Sequence, residues 1–393
     1  MHSDSTRWLI GGLLLTLCSG GIGCTEGSAS SSDNPDDGSR AGSSSTAEGG
    51  AATTTDGGAG GNGGSESTTP APSFPVGSLD PFPAPPTSDI PQPSASVSEP
   101  NLRVLPWAGF TAALSYTFDD TQPSQAEHWD ELEATGIPMT FFANPSSNWQ
   151  SGFDATWTAV AAAGSEIGNH TWSHCHSDLS DCTPIGTAEE EIDDATEYII
   201  EHFGVPAVLS FASPFGDSGW NEYAAPRFLV GRGVVSGFVA PTGASNWHNL
   251  PVIAVNAGET ADDFTAAIDN AYSQGRWGIF MFHSILPTSN NWYAGVEMTD
   301  IAASIDYAQG LDAVWIERMG VVGAYVRAQQ MFEAVTPSDH VWTWTLPERY
   351  PTGGVLRVTV DGGSLSQGGT ELTWDPHGYY EVNLDAGQLT WTP

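Results

Sequence analysis

The chain of 393 residues contains no lysine and only ten arginines, against 47 acidic residues, which gives a formal net charge of −37. Nucleic acid and anionic membrane surfaces are bound through clustered Lys and Arg side chains, so this composition excludes both as expected partners. Long apolar runs are equally scarce, because only the first segment of the chain is apolar enough to interact with a bilayer. Cysteine is rare too, with four in the whole chain.

The amino terminus carries the pattern of an export signal. Arg7 precedes an apolar stretch at 8–17, which is too short to span a membrane because a spanning helix needs about 20 residues. Residues 1–23 are therefore predicted to be a signal peptide. Gly21-Ile-Gly-Cys24 resembles a bacterial lipoprotein cleavage site, which would make Cys24 a lipidated first residue. The alternative is ordinary cleavage nearby, which leaves Cys24 a plain cysteine.

Residues 24–100 are predicted to form a disordered tether between this leader and the folded part. Residues 25–69 are almost wholly Gly, Ser, Thr, Ala and Asp, and cannot bury enough apolar surface to fold. Residues 70–100 contain ten prolines, which favour a stiffer, extended spacer. We therefore expect an exported protein of the cell envelope or extracellular space, which contacts membrane only through a lipid at Cys24.

Short apolar strands alternate with amphipathic helices between residues 101 and 334. The predicted strands are 113–118, 138–143, 207–212, 277–282 and 313–316, and the predicted helices are 124–135, 188–203, 262–274, 300–309 and 320–332. Three glutamates, 189–191, open the second helix and are expected to be solvated. Strands that are apolar on both faces indicate an α/β fold with a parallel sheet or barrel. In such folds the chemistry collects at the carboxyl ends of the strands.

The pattern changes after about residue 335 to short alternating stretches separated by Gly-rich turns. This predicts a small all-β domain over 335–393. Its four tryptophans, Trp342, Trp344, Trp374 and Trp391, are expected mostly to pack its core, the alternative being a surface that stacks on sugars.

Two acids and two histidines form a candidate metal site. Asp119 and Asp120 end a predicted strand, where adjacent buried carboxylates repel each other unless a cation lies nearby. His170 and His174 are four residues apart, which on a helical turn puts both rings on one side. An Asp and two His give three ligands and leave a position open for water, as in catalytic zinc sites.

Cys175 and Cys182 have two interpretations. An exported protein matures in an oxidising compartment, which favours a short-loop disulfide between them. Metal binding is the competing interpretation, because Cys175 lies between His174 and His176. The spacing of six intervening residues fits zinc-binding cysteine pairs poorly, so the disulfide is favoured.

Four segments together resemble the successive motifs of the polysaccharide deacetylase family, the fourth family of carbohydrate esterases. They are Thr117-Phe-Asp-Asp120, His170-Thr-Trp-Ser-His174, Ser213-Pro-Phe-Gly216 and Met281-Phe-His283. The resemblance covers roughly residues 105–332. It implies a distorted (β/α) barrel of seven or fewer strands, which agrees with the alternation of strands and helices.

The resemblance also implies a role for individual residues. Asp120, His170 and His174 would hold a divalent metal, with zinc the expected ion. Asp119 would be the general base that deprotonates the attacking water, and His283 the general acid that protonates the leaving group.

The resemblance assigns the oxyanion to the backbone N–H of Phe215 and the lining of the substrate groove to Trp247. The sequence departs from the family at two places. Ala212 stands where an arginine commonly orients the catalytic aspartate, and no aspartate suitable as a partner of His283 occurs between 241 and 257.

The sequence thus predicts a metal-dependent hydrolase that removes acetyl groups from a carbohydrate polymer. It leaves open whether the scissile bond is an amide of an amino sugar or an ester of a xylan-like glycan. The two departures and the aromatic C-terminal segment support an alternative, a carbohydrate-binding surface protein that keeps the fold without the catalysis. Gly216-Asp-Ser-Gly219 copies a serine-protease motif, but it stands in a strand–helix alternation, and Ser218 is expected to be a turn residue.

Overall fold

The structure of the chain is a computed structural model that describes residues 73–146 and 152–393. The predicted signal peptide, Cys24 and the Gly/Ser-rich part of the predicted tether lie outside the described residues. Within the described ranges, no helix has the length and apolar character needed to cross a membrane.

Strands and helices alternate through the first two thirds of the described chain, and strands alone follow. The strands are β1 (Arg103–Val104), β2 (Ala112–Asp119), β3 (Thr140–Ala143), β4 (Glu166–Asn169), β5 (Ser210–Ala212), β6 (Val230–Ser236), β7 (Leu250–Ala254), β8 (Trp277–Phe282), β9 (Ile285–Leu286), β10 (Val296–Glu297), β11 (Val314–Ile316), β12 (Val341–Thr343), β13 (Val355–Thr359), β14 (Ser364–Gln367), β15 (Thr370–Glu371), β16 (Trp374–Asp375), β17 (Tyr379–Asn383) and β18 (Gln388–Thr392). The helices are α1 (Pro123–Glu127), α2 (Trp129–Ala134), α3 (Asp154–Ala162), α4 (Ala188–Phe203), α5 (Asn221–Ala224), α6 (Ala261–Ser273), α7 (Met298–Gln309) and α8 (Met319–Glu333).

Seven parallel strands, β2 to β8, close into a barrel. Each pairs with the next in chain order, and β8 pairs back onto β2 over six residues. The first half of β2 pairs with β11 and its second half with β3, so an eighth strand joins the barrel at one side. The predicted distorted (β/α) barrel of the deacetylase type is confirmed.

Residues of β2 alternate between the barrel interior and the helices outside. Leu114, Tyr116 and Phe118 belong to the outer core, which α1 to α7 cover. The alternate positions carry polar side chains, ending at Asp119 with its carboxyl group at the carboxyl end of the barrel. This two-residue period directs one set of side chains toward the site and the other toward the hydrophobic core.

Helix α4 has the predicted bounds because its ends are strongly specified. Thr187 and Glu190 form a capping box at its start, and Gly204 ends it with φ 72°. The helix predicted at 124–135 is divided into α1 and α2. Several elements had no counterpart among the predictions, and the longer ones among them are α3, β4, β6 and β7.

The C-terminal strands form two four-stranded sheets, ordered β1-β13-β17-β16 and β12-β18-β14-β15. Strand β1 precedes the barrel in sequence yet pairs with β13, so the small domain is not built from residues 335–393 alone. Its core is continuous with the barrel interior through α8. Trp342, Trp344 and Trp391 are buried in this core and Trp374 packs against it, which confirms the expected packing role.

Residues 73–100, here called the amino-terminal strap, are extended but are not the free spacer that their prolines predict. Leu79 and Phe82 are each only 8% exposed and belong to the core that joins barrel and C-terminal sheets. The buried Arg357 guanidinium donates hydrogen bonds to the carbonyl oxygens of Phe82 (3.1 Å) and Pro83 (2.9 Å). Two apolar anchors and one buried cation therefore fix a segment that has almost no regular secondary structure.

We expect Phe82→Ala to destabilise the fold by about 3–5 kcal/mol, the usual cost of emptying a buried aromatic site. The Phe82 ring packs 5.2 Å from that of Trp315 and 5.7 Å from that of Tyr325, measured between centroids. Urea unfolding of residues 24–393 measures the change. Thr87→Ala, at an exposed position of the same strap, is the matched control and should alter stability by less than about 0.5 kcal/mol. Equal stability of the two variants would contradict the anchoring role.

Candidate active site

The carboxyl ends of the barrel strands surround a cavity of about 540 Å³. It brings together the five side chains that the sequence assigned to metal binding and acid–base chemistry. Its lining consists of Asp119, Asp120, His170, His174, Ser213, Phe215, Val234, Ala254, Met281, His283 and Tyr293.

Asp120, His170 and His174 form a cluster suited to a metal ion. One potential ligand atom from each lies within 4.8 Å of the other two. Oδ1 of Asp120 is 3.5 Å from Nε2 of His170 and 3.6 Å from Nε2 of His174. One carboxylate oxygen and two imidazole nitrogens facing a cavity are a donor set that leaves room for a water or substrate oxygen.

Neighbouring groups orient two of these side chains, those of His170 and Asp120. Nδ1 of His170 lies 2.8 Å from the carbonyl oxygen of Ala212. Because a carbonyl only accepts, Nδ1 carries the proton and the lone pair of Nε2 faces Asp120. The Gln122 amide donates to Oδ2 of Asp120 (2.8 Å) and accepts a hydrogen bond from the Ser284 hydroxyl (2.6 Å), which leaves Oδ1 toward the histidines. No motif of the sequence pointed to Gln122.

The segment that carries the two histidines is tied to the start of α4. Glu191 is fully buried, and its carboxylate accepts hydrogen bonds from the backbone N–H groups of Ser173 (2.7 Å) and Ile185 (2.8 Å). The prediction that the glutamates at 189–191 are all solvated is therefore wrong for Glu191. The sequence did contain a signal for this burial, because Glu191 lies on the apolar face of an amphipathic helix.

Backbone strain is concentrated around the cavity. Asp120, Thr171, His174 and Phe215 all have φ between 54° and 73°. Non-glycine residues in this left-handed region cost of order 1–3 kcal/mol each and cluster at functional sites. The positive φ of Asp120 directs its carboxylate away from that of Asp119, so the two acids face different partners.

Asp119 is paired with Arg232 of β6, a residue that the sequence analysis did not identify. Nη2 of Arg232 donates to Oδ1 of Asp119, and the guanidinium lies 4.7 Å above the Phe142 ring. Burial raises the pKa of Asp119, but Arg232, aided by His170 and His283, outweighs burial and holds that pKa below its usual range. Ala212 therefore does not leave Asp119 without a cation, because Arg232 supplies one from the next strand.

His283 faces Asp119 across the cavity, with its Nε2 3.8 Å from Oδ2 of Asp119. Burial lowers the pKa of His283 despite the nearby carboxylates, so the ring is neutral near pH 7. Gln125 holds the two segments together, since its amide donates to the carbonyl oxygens of Asp119 (2.6 Å) and His283 (2.9 Å). The Tyr293 ring packs edge-on against His283 at 4.8 Å.

Large apolar side chains are exposed around the mouth of the cavity. Trp292 is 65% exposed and Tyr293 62%, both in the segment between β9 and β10, while Phe215 is 53% exposed. The Phe215 ring stacks on that of His176 at 4.3 Å and meets that of His174 edge-on at 4.5 Å. Val234 and Val235, at the end of β6, are exposed as well.

Trp247 does not line the cavity, so its predicted place in the substrate groove is wrong. Its indole N–H donates to Oε1 of Gln330 in α8 (2.8 Å), and its ring packs against the core beneath the barrel. It precedes β7, whose carboxyl end rather than its start faces the site. Trp292 precedes Tyr293, which lines the cavity, and an aromatic pair within a polar loop was the signal for this segment.

Cys175 and Cys182 form a disulfide, as favoured from the sequence. The bridge closes the segment that presents His176 to Phe215. The competing interpretation of these cysteines as metal ligands is thereby excluded in this structure.

Residues 111–226 match the family model described as polysaccharide deacetylase. The chain carries a polysaccharide deacetylase domain. The matched segment contains the Asp120, His170 and His174 cluster and Asp119. It ends before Arg232, so the match gives no information about the residue that pairs with Asp119.

The two curated relatives of this chain are matched over only part of their own length. A chitin deacetylase of Pestalotiopsis sp is 36% identical over 90 residues, which are 22% of this chain and 30% of that protein. A gellan lyase of Bacillus sp is 26% identical over 298 residues, 66% of this chain and 11% of that protein. A family 4 carbohydrate esterase of Streptomyces lividans, solved in complex with acetate, has a TM-score of 0.37, 17% identity and coverage of 53% and 92%. The chain thus spans less than a third of either curated relative.

We expect Gln122→Ala to lower the divalent-metal affinity of the deacetylase domain by about 10–100-fold, the usual effect of removing a group that orients a ligand. Without the amide, Asp120 is free to turn its oxygens away from the histidines. Competition with a chromophoric chelator measures the affinity. Gln309→Ala, at the exposed end of α7, is the control and should leave it unchanged. Equal affinities in the two variants would show that Gln122 does not orient Asp120.

Proposed function

We propose that this protein is a metal-dependent polysaccharide deacetylase. The observation that carries the proposal is the convergence of a three-ligand cluster, a carboxylate paired with a cation, and a neutral imidazole on one cavity. A divalent ion bound by Asp120, His170 and His174, with zinc the first candidate, would acidify a water molecule and polarise the acyl carbonyl.

The side chains around this cluster supply the proton transfers. Asp119 is held as a carboxylate, so it accepts a proton from the attacking water through Oδ2, the oxygen not bound by Arg232. His283 is neutral and 3.8 Å from that oxygen, so it receives this proton and passes it to the departing amine or alcohol. The exposed turn at Phe215 offers its backbone N–H to the oxyanion.

The surroundings of the site favour a neutral glycan as the substrate. The folded part is strongly acidic, which disfavours polyanionic polymers. Exposed Trp292, Tyr293 and Phe215 provide flat apolar faces of the kind on which sugar rings stack. Val234, Ala254 and Met281 line the same cavity with apolar surface suited to an acyl methyl group.

Two of the observations that favoured the alternative, a non-catalytic binding protein, no longer favour it. Arg232 supplies the cation whose absence at 212 motivated it. The C-terminal tryptophans are packed in the core, so they do not form a sugar-binding face.

We also propose that the protein is exported and held at the cell envelope by a lipid on Cys24. The support is the leader pattern at residues 1–23 and the polar segment that separates it from the amino-terminal strap. Radiolabelled fatty acid incorporated into the wild-type chain and absent from Cys24→Ser would establish the anchor. Equal labelling of both chains would refute it.

We expect residues 24–393 to release acetate from partially acetylated chitin oligomers, from acetylated xylan, or from both, when loaded with zinc. A chelator should abolish release and added metal should restore it. Asp119→Asn should lower kcat by about 10²–10⁴-fold while the metal stays bound, because a general base is lost. Asp312→Asn, at an exposed acid preceding β11, is the control. Full turnover in Asp119→Asn, or a wild-type protein that binds no metal, would refute the proposal.

We expect Trp292→Ala to raise KM for long oligomers about 2–10-fold, since an aromatic contact contributes about 0.5–1.5 kcal/mol. The turnover of a small acetylated monosaccharide should not change, because its single ring occupies only the catalytic position. KM measured against chain length distinguishes the two cases. A uniform loss across all lengths would show that Trp292 supports the catalytic residues instead of binding the polymer.

A further inference from the structure

Arg232 and Ala212 occupy directly paired positions of neighbouring strands. β5 and β6 run parallel, with Ser210 opposite Val230 and Ala212 opposite Arg232. Paired residues of adjacent parallel strands project from the same face, with backbones about 4.8 Å apart. An arginine at either position therefore emerges on the same side of the sheet, toward the barrel interior and Asp119.

We propose that Arg232, on β6, is the positioning residue for Asp119. It takes the role of the arginine that position 212 of β5 lacks. This inference rests on the proposed deacetylase function. Asp119 requires a guanidinium at position 212 of β5 or at position 232 of β6, and either strand can supply it.

The contacts of Arg232 support a single task. Its side chain is fully buried, and its only hydrogen bond in the described chain runs from Nη2 to Oδ1 of Asp119. Nε and Nη1 have no protein partner among the described residues. The guanidinium carbon also lies over the Phe142 ring, 4.7 Å from its centroid.

Such a pair is poorly explained by stability alone. A buried ion pair that is incompletely hydrogen-bonded often stabilises a fold no more than apolar residues of similar volume. What the pair does achieve is to distinguish the two oxygens of Asp119. Oδ1 is held by Arg232, and Oδ2 is left facing His283 and the cavity.

The opposite residue of β5 acts through its backbone instead. The carbonyl oxygen of Ala212 accepts the hydrogen bond that fixes His170, and its methyl side chain is fully buried. A small side chain at 212 leaves space for the arginine that arrives from β6. β5 thus orients a proposed metal ligand, and β6 orients the proposed base.

Steady-state kinetics on residues 24–393 test the proposal with three variants. Arg232→Gln should lower kcat about 100-fold, the scale expected for a misplaced catalytic group, with KM and metal content unchanged. Arg232→Lys keeps the charge but not the planar group, and should retain about tenfold more activity than the glutamine variant. Ala212→Arg combined with Arg232→Ala should also recover about tenfold, because it returns a guanidinium to the same face one strand away.

Three results would overturn the inference. One is activity of Arg232→Gln within about threefold of the wild type, which is too small a loss for a positioning role. Another is equal impairment of the lysine and glutamine variants, which would indicate loss of shape alone. The third is no recovery of the relocated arginine over Arg232→Gln, which would show that the strand position is not interchangeable.

Thermal unfolding provides a measure that does not depend on activity. Arg232→Gln should lower the Tm clearly in the wild-type background and much less in Asp119→Asn, because the unpaired charge is then absent. Equal decreases in both backgrounds would refute the pairing. If the wild type releases no acetate yet the two substitutions are coupled in Tm, the proposed function fails while the pairing stands.

Discussion

Closure of the barrel through β2 is the constraint on which the site depends. β2 pairs with β8 over six residues and with β3 near its end. Asp119 and His283 therefore lie at one edge of the barrel, although 163 positions separate the hydrogen-bonded residues Thr117 and Phe280. The Thr117 hydroxyl donates to the Phe280 carbonyl at 2.6 Å inside this junction. Gln125 then bridges the ends of the two strands. A shift of register by one residue would turn Asp119 into the outer core.

The strands and helices predicted from the sequence are those whose hydrophobic pattern or capping residues match their surroundings in the fold. β8 is an uninterrupted apolar strand, β2 is buried along its whole length, and α4 carries its own capping box. β6 was missed because Val230-Gly-Arg-Gly-Val-Val-Ser236 places a charge between two glycines, a composition typical of a loop. Missing that strand also meant missing Arg232. The metal and acid–base residues were predicted from motif order, whereas Trp247 was misplaced because sequence proximity did not show which end of the barrel it faces.

The amino-terminal strap shows why composition does not determine whether a segment packs. Averaged over residues 70–100, proline dominates and apolar residues are few. Packing depends instead on individual anchors, and Leu79 and Phe82 are sufficient because the barrel and the C-terminal sheets leave a groove with an aromatic wall. Arg357 then satisfies the carbonyl groups of a chain that has no sheet partner over most of its length. A buried guanidinium without acceptors is strongly destabilising, and Arg357 finds its acceptors in those carbonyls together with the Ala108 carbonyl and the Glu381 carboxylate.

The two adjacent carboxylates raise the question of how both remain charged in one cavity. Like charges at such a distance usually share a proton, with the pKa of one partner raised. Here the positive φ of Asp120 turns the second carboxylate toward His170 and His174, while Asp119 stays in line with its strand and meets Arg232. Asp119 therefore meets a cation on β6, whereas Asp120 faces the two imidazoles that follow β4. The strained turn after β2 directs the two neighbouring carboxylates toward different partners, which is what the proposed division into a base and a metal ligand requires.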